Sequence, residues 1–405
     1  MNKKFPKDFL WGVATSSYQV EGGNSNSDWW EWEKAGKADN ESGKACDYWN
    51  RYKEDHDFLQ NLGVNLFRSS IEWARIEPEE GVFSEDVILH YRKIFKDLKK
   101  RNIKTQVTFW WWTSPLWFQE KYGWHKKESV EIFARYVEKV TKELGDLIDI
   151  FTTFNEPMVP LGQGYLGGVF PPGNKNPLKF FRAVSNVAEA HNVSYKIIHQ
   201  IKPEAKVGIT YLYNWYEAEG FGILLNSINR IAQWFRIDLL GDKIKNFQDY
   251  VGINYYRLGK IKFELKNLKI NPREQKYFGF TIEEDKDNVM KWITYPKGIY
   301  LVLKEASKKF QLPIYITENG GPTREGLNDP ERIAFIKNHL SFVHKAIQEG
   351  IDVRGYNFWS LVDNLEWLYG YEPRFGLVEI NYKTLERTPR KSYFEYQKII
   401  KNRGV

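Results

Sequence analysis

The chain has 405 residues, 42% of them apolar and 27% charged, with a formal charge of +7. That balance supports a large folded core and excludes disorder as the default. The apolar runs are short, such as Ile223–Leu225, far below the roughly 20 residues of a spanning helix, and the lone Cys46 excludes an intramolecular disulfide or a cysteine zinc site.

The first residues, Met1 to Asp8, carry lysines with no apolar stretch behind them, so no signal peptide is expected and a cytoplasmic protein is. The positive charge is scattered rather than gathered into one arm; the dense stretch from Lys96 to Lys104 reads as the solvated face of a helix. Neither nucleic acid nor membrane is an expected partner. Strand-like runs then recur along the chain: Phe9–Ala14, Val64–Ser70, Thr105–Phe109, Ile150–Phe154, Val207–Tyr211, Tyr250–Asn254, Ile314–Thr317 and Val353–Trp359.

Helical periodicity separates these runs. Val130, Phe133, Val137, Val140 and Leu144 fall on one face, and Asp329-Pro330-Glu331 reads as a helix start with Gly350 as its stop. Alternating strands and helices imply a parallel sheet, and eight of each close into a single (β/α)8 TIM barrel spanning 1–405. A doubly wound open sheet is the alternative, but no Gly-rich phosphate loop follows any strand. After the sixth strand, residues 257–292 form a Lys- and Glu-rich excursion. Its alternating Lys260–Leu265 is expected to be an exposed strand.

Two glutamates stand out. Glu318 ends the seventh strand before Asn319-Gly320-Gly321, and Glu156 ends the fourth before Pro157, which cannot continue a central strand. A buried carboxylate needs a compensating partner or a use. In such barrels the active site lies at the carboxyl ends of the strands. The polar and aromatic residues expected there are Gln19, Arg68, Trp110 to Trp112, Asn155, Asn254, Tyr256, Trp359, Glu366 and Trp367. With 16 Trp and 24 Tyr in the chain, flat faces rimmed by carboxylates and amides suit sugar rings. Two carboxylates on either side of a glycosidic bond can split it by double displacement, one donating a proton and the other attacking. No histidine pair has metal-ligand spacing, and neither metal nor cofactor is expected.

The motifs that carry a family resemblance are Phe9–Gly22, Phe67–Pro78, Thr153–Pro157, Gly252–Tyr256, Ile316–Gly320 and Trp359–Gly376. In this order, over nearly the whole chain, they resemble family 1 glycoside hydrolases, the retaining β-glucosidases and β-galactosidases. The resemblance implies Glu156 as acid/base, Glu318 as nucleophile, and Arg68, Asn254 and Tyr256 as the nucleophile's support. It implies Gln19, Asn155, Trp359, Glu366 and Trp367 as the site for the non-reducing sugar of a small β-glycoside or oligosaccharide. Glu366 suits a neutral hexose and disfavours a 6-phosphate.

Two features depart from the family pattern. The third strand of similar members ends in a His-Trp pair whose His contacts a sugar hydroxyl, and Trp111 stands there in this chain. The segment from Tyr213 to Asp249 is also some tens of residues shorter. A sugar-binding barrel with little hydrolysis, or a transglycosylase, are the alternatives these departures leave open. No sequence feature specifies an oligomeric state.

Overall fold

The computed structural model describes residues 3–218, 233–263, 276–277, 280–324 and 326–405. The strands are β1 (Leu10–Ala14), β2 (Leu66–Ser70), β3 (Lys104–Trp110), β4 (Ile150–Asn155), β5 (Val207–Leu212), β6 (Tyr250–Asn254), β7 (Ile314–Asn319) and β8 (Val353–Trp359). They pair in chain order, all parallel, and β8 returns to β1 to close the barrel. The open sheet is thereby excluded.

Helices α1 (Tyr48–Leu62), α2 (Glu85–Lys100), α3 (Ser129–Leu144), α4 (Pro177–Ile201), α5 (Leu239–Ile244), α6 (Pro296–Phe310), α7 (Pro330–Gln348) and α8 (Lys391–Asn402) follow the strands in turn. None of the described helices is long and apolar enough to cross a membrane. The face expected on α3 is the one that packs: Phe133, Val137, Val140 and Leu144 are fully buried and Val130 half-buried.

Strand alternation sorts the side chains. Val251 and Ile253 of β6 join the main core beneath the helices, whereas Tyr250 and Asn254 face the barrel axis. Inside, the barrel is graded. Leu66, Ile150, Tyr250 and Tyr315, near the strand starts, plug its floor. Above them comes a polar layer, in which Thr152 and Tyr250 share a 2.6 Å hydrogen bond and Gln106 reaches Tyr250 and Asn357. At the top lie Arg68, Asn254 and Thr317, all fully buried. Crowding within this stack requires Gly252, where an added Cβ would sit 2.6 Å from the Thr210 hydroxyl.

Both carboxylate strands are irregular at their ends. The register of β7 slips against β6 between Ile316 and Glu318, which sets Glu318 opposite Asn254. The register of β4 slips against β5 between Thr152 and Asn155. Bulges of this kind re-aim a side chain at the rim of a sheet. Glu318 is accordingly the penultimate residue of β7 rather than its last, because the bulge lets pairing continue to Asn319.

Two other expectations are corrected. Asp329 precedes α7 as predicted, but its carboxylate makes no cap bond. It accepts instead from Arg332 at 2.6 Å and from Ser392, because a buried arginine and hydroxyl are stronger claimants than a helix end that Pro330 has already relieved of a donor. The strand in the 257–292 excursion runs from Leu258 to Phe263, within a four-stranded sheet that also includes Trp215–Ala218. It is not plainly exposed: Leu258 and Ile261 are buried, since one face of the sheet roofs a cavity. The rest of the expected run, Glu264–Leu265, lies outside the described residues, as does 219–232 of the segment read as short.

Candidate active site

A cavity of about 550 Å³ opens at the carboxyl ends of the strands. Its lining includes Gln19, Trp111, Asn155, Glu156, Tyr256, Glu318, Trp359, Glu366 and Trp367. Arg68 and Asn254, also expected, lie behind this wall and reach the carboxylates by hydrogen bonds. Trp110 is the one aromatic of its run that turns away, packing on Trp124 and Phe154 in the core.

The two carboxylates have unlike surroundings. Glu318 accepts from Arg68 Nη1 at 2.6 Å on one oxygen and from the Tyr256 hydroxyl on the other. Glu156 accepts from Asn254 Nδ2 at 2.7 Å. A relay joins them: Asn155 Oδ1 accepts from Arg68 Nη2 at 2.7 Å and from Asn254 Nδ2 at 3.3 Å, and Thr317 donates to Asn254 Oδ1 at 2.6 Å. That last bond fixes the Asn254 amide with its nitrogen toward Glu156.

Burial pushes both carboxyls above the ordinary range. For Glu156 the nearby charge of Glu318 adds to burial and holds it well above 4.5, with only Asn254 and Arg68 opposing. For Glu318, burial is opposed by the Arg68 charge first and then by the Tyr256, Arg68 and Asn254 hydrogen bonds. A proton is therefore held more strongly by Glu156 than by Glu318. Burial also pushes the Glu366 carboxyl up to about 8, with Glu318 adding to the rise and no cation among the described residues opposing it. Glu366 Oε2 is buried without a partner among the described residues.

Backbone strain gathers in the same place. Trp112, Glu156 and Trp367 line the cavity and hold positive φ angles of 73°, 44° and 49°. Non-glycine residues in that region cost of order 1–3 kcal/mol each and cluster at functional sites. The aromatic walls are built by stacking. Trp111 stacks on Trp359 with centroids 5.6 Å apart, and Trp367 lies parallel to Tyr18 and packs on Trp112.

Sequence reasoning missed several contributors. Asn214 Oδ1 accepts from the backbone N–H of Tyr256 and Arg257 and so sets the loop that carries the Tyr256 hydroxyl. Nothing in the sequence near Asn214 signals that contact. Met290 and Trp292 of the excursion, and Tyr216 of the Trp215–Ala218 strand that pairs with it, also line the cavity. Trp112, expected from the Trp-Trp-Trp run, does line the cavity.

Comparisons with known proteins bear on the family and the fold. The "Glycosyl hydrolase family 1" model matches residues 1–222 and 238–405, and its break falls inside the short segment. Beta-glucosidase A of Thermotoga maritima is 34% identical over 448 aligned positions, covering 100% of this chain and 99% of that one. A beta-glycosidase structure from Pyrococcus horikoshii superposes with a TM-score of 0.91 at 39% identity, covering 100% of this chain and 96% of the other. The Thermotoga maritima beta-glucosidase in complex with glucoimidazole gives 0.91 at 32% identity, covering 100% of each chain. A closed parallel barrel with two unequal carboxyls at its carboxyl rim, matched by family and structure over its length, is a member of glycosyl hydrolase family 1.

Proposed function

We propose that Glu318 is the nucleophile and Glu156 the acid/base of a retaining β-glycosidase that hydrolyses β-glucosides of neutral sugars. The inequality of the two carboxyls carries this reading: Arg68 and Tyr256 stabilise charge on Glu318, while Glu156 faces that charge with an amide as its one hydrogen-bond donor among the described residues. The family's β-glucosidases, and the glucose-like ligand named in one superposed structure, support the choice of glucoside.

In the first step the Glu318 carboxylate attacks the anomeric carbon while Glu156 gives its proton to the glycosidic oxygen, and the aglycone leaves as an alcohol. Esterification removes the negative charge of Glu318. The leading Coulombic cause of the high Glu156 pKa disappears with it, so Glu156 now holds a proton less strongly. That change equips it to take a proton from water, whose oxygen attacks the same carbon and frees Glu318. Asn155 Oδ1 is committed to Arg68 and Asn254, which leaves its amide N–H groups for the sugar hydroxyl next to the anomeric carbon. Glu366 meets the far hydroxyls. With no cation among the described residues beside it, a 6-phosphate would lose its hydration for a bare carboxyl, which favours a neutral hexose.

The test is the anomer formed first from an aryl β-glucoside, followed by proton NMR. The β-anomer, with its formation abolished by Glu318→Gln, is expected. The α-anomer as first product, or undiminished turnover by the variant, would overturn the assignment.

A further inference from the structure

The cavity flank formed by Gln19, Trp111 and Trp359 is poor in groups that can read a hydroxyl. The Gln19 donors are spent within the protein: its two N–H bonds go to Asn364 Oδ1 at 3.0 Å and the Leu365 carbonyl at 2.6 Å, and its oxygen already accepts one bond from Ser16 at 2.6 Å. Trp111 has one N–H and no acceptor. Its ring is engaged elsewhere, with the Arg68 guanidinium 4.2 Å from the ring centroid and Trp359 stacked against it.

That engagement explains why an aromatic ring sits there. Arg68 is fully buried, and its Nε has no hydrogen-bond partner among the described residues. The π-face of the Trp111 indole compensates the cation there. Trp111 thus serves the arginine that holds Glu318, whereas an imidazole placed there would offer an acceptor to the sugar.

The sugar's orientation follows from the other walls and rests on the function proposed above. With the anomeric carbon at Glu318, Asn155 takes the 2-hydroxyl and Glu366, whose Oε2 has no partner among the described residues, takes the 4- and 6-hydroxyls. The 3-hydroxyl is left to the Gln19–Trp111–Trp359 flank. We propose that this chain reads the 3-hydroxyl weakly and hydrolyses 3-deoxy-β-glucosides nearly as well as β-glucosides.

The test is kcat/KM for an aryl β-glucoside and its 2-, 3-, 4- and 6-deoxy analogues, with the unaltered protein, Trp111→Phe and Trp111→His. The 3-deoxy compound is expected within tenfold of the parent. Trp111→Phe keeps a ring over Arg68 and removes only the N–H, so it should leave the 3-deoxy-to-parent ratio within threefold. Trp111→His restores an acceptor and should favour the parent by a further tenfold or more. A loss above tenfold on 3-deoxygenation, or a shift above threefold in Trp111→Phe, would show that the flank does read the hydroxyl and overturn the proposal. If Trp111→His does not fold, the other two proteins decide. Absence of turnover of the parent glucoside would defeat the glycosidase reading itself, and is distinguishable from turnover with a 3-deoxy penalty.

Discussion

Replacing Arg68 with methionine isolates what holds Glu318 ready to attack. Methionine keeps much of the length under Trp111 and removes the charge. Arg68 is fully buried and its Nη1 lies 2.6 Å from Glu318 Oε1. Removing one partner of a buried ion pair typically costs about 3–5 kcal/mol, because the other charge is left uncompensated. Glu318 can escape that cost by taking a proton. At about 1.4 kcal/mol per pKa unit, the loss corresponds to a rise of roughly two to four units for Glu318. The direction matters for activity. Glu318 attacks only when ionised, so the acid limb of kcat/KM moves to higher pH by that amount. The alkaline limb, set by loss of the Glu156 proton, stays or rises slightly as the cation's opposing influence on Glu156 is removed. The bell narrows and its maximum falls. The assay is kcat/KM against pH for an aryl β-glucoside, with circular dichroism to confirm folding. A reduced rate whose acid limb keeps its original position would refute the reasoning, since Arg68 would then act on the sugar or the fold and not on the charge of Glu318.

Three further outcomes follow from the same structure. Tyr256→Phe removes the second donor to Glu318; hydrogen bonds to charged groups contribute about 1.5–3 kcal/mol, so its acid limb should rise by about one to two units in the same assay. Glu156→Ala removes the proton donor, and general acid catalysis contributes about 10²–10⁴-fold. Glycosides of poor leaving groups should lose that factor in initial rate, those of acidic phenols should lose much less in the first step, and the alkaline limb should vanish. Stability should fall as pH rises between about 6.5 and 8. Burial raises Glu21 and Asp28 to about 7 and Glu72 and Glu366 to about 8, so over that window the folded chain holds protons that the unfolded chain has released. Buried His56, His191 and His339, lowered to about 4, pull the other way only below the unfolded histidine value. Thermal melts at pH 6.5 and 8 check the sign, and a higher Tm at pH 8 would contradict it.

The barrel was legible because each strand is a compact β-branched or aromatic run with helical periodicity between, and the two outer faces of that pattern become one core. The strand ends were harder. Glu318 and Glu156 announce themselves as carboxylates in apolar runs, but the bulges that re-aim them arise from register against neighbouring strands, and no local pattern encodes register. Gln19 illustrates another limit. Its position at the cavity was readable, whereas the commitment of its amide to Asn364 and Leu365 depends on residues some 345 positions away. The excursion strand was misjudged as exposed for a related reason: alternation from Lys260 onward identifies two faces, and only tertiary packing says that Ile261 lines a cavity. Asn214 carried no signal because it acts through backbone N–H groups of another loop.

The central claim is that the sugar becomes covalently attached to Glu318. A β-glucoside with fluorine at its 2-position and an acidic phenol as leaving group destabilises the positively charged transition state of both steps, while the leaving group keeps the first step passable. Incubation followed by intact mass and peptide mapping tests the claim directly. The account predicts a mass increase of one fluorosugar, located on Glu318 and absent in Glu318→Gln. Attachment at Glu156, or turnover with no adduct and an inverted product, would contradict it.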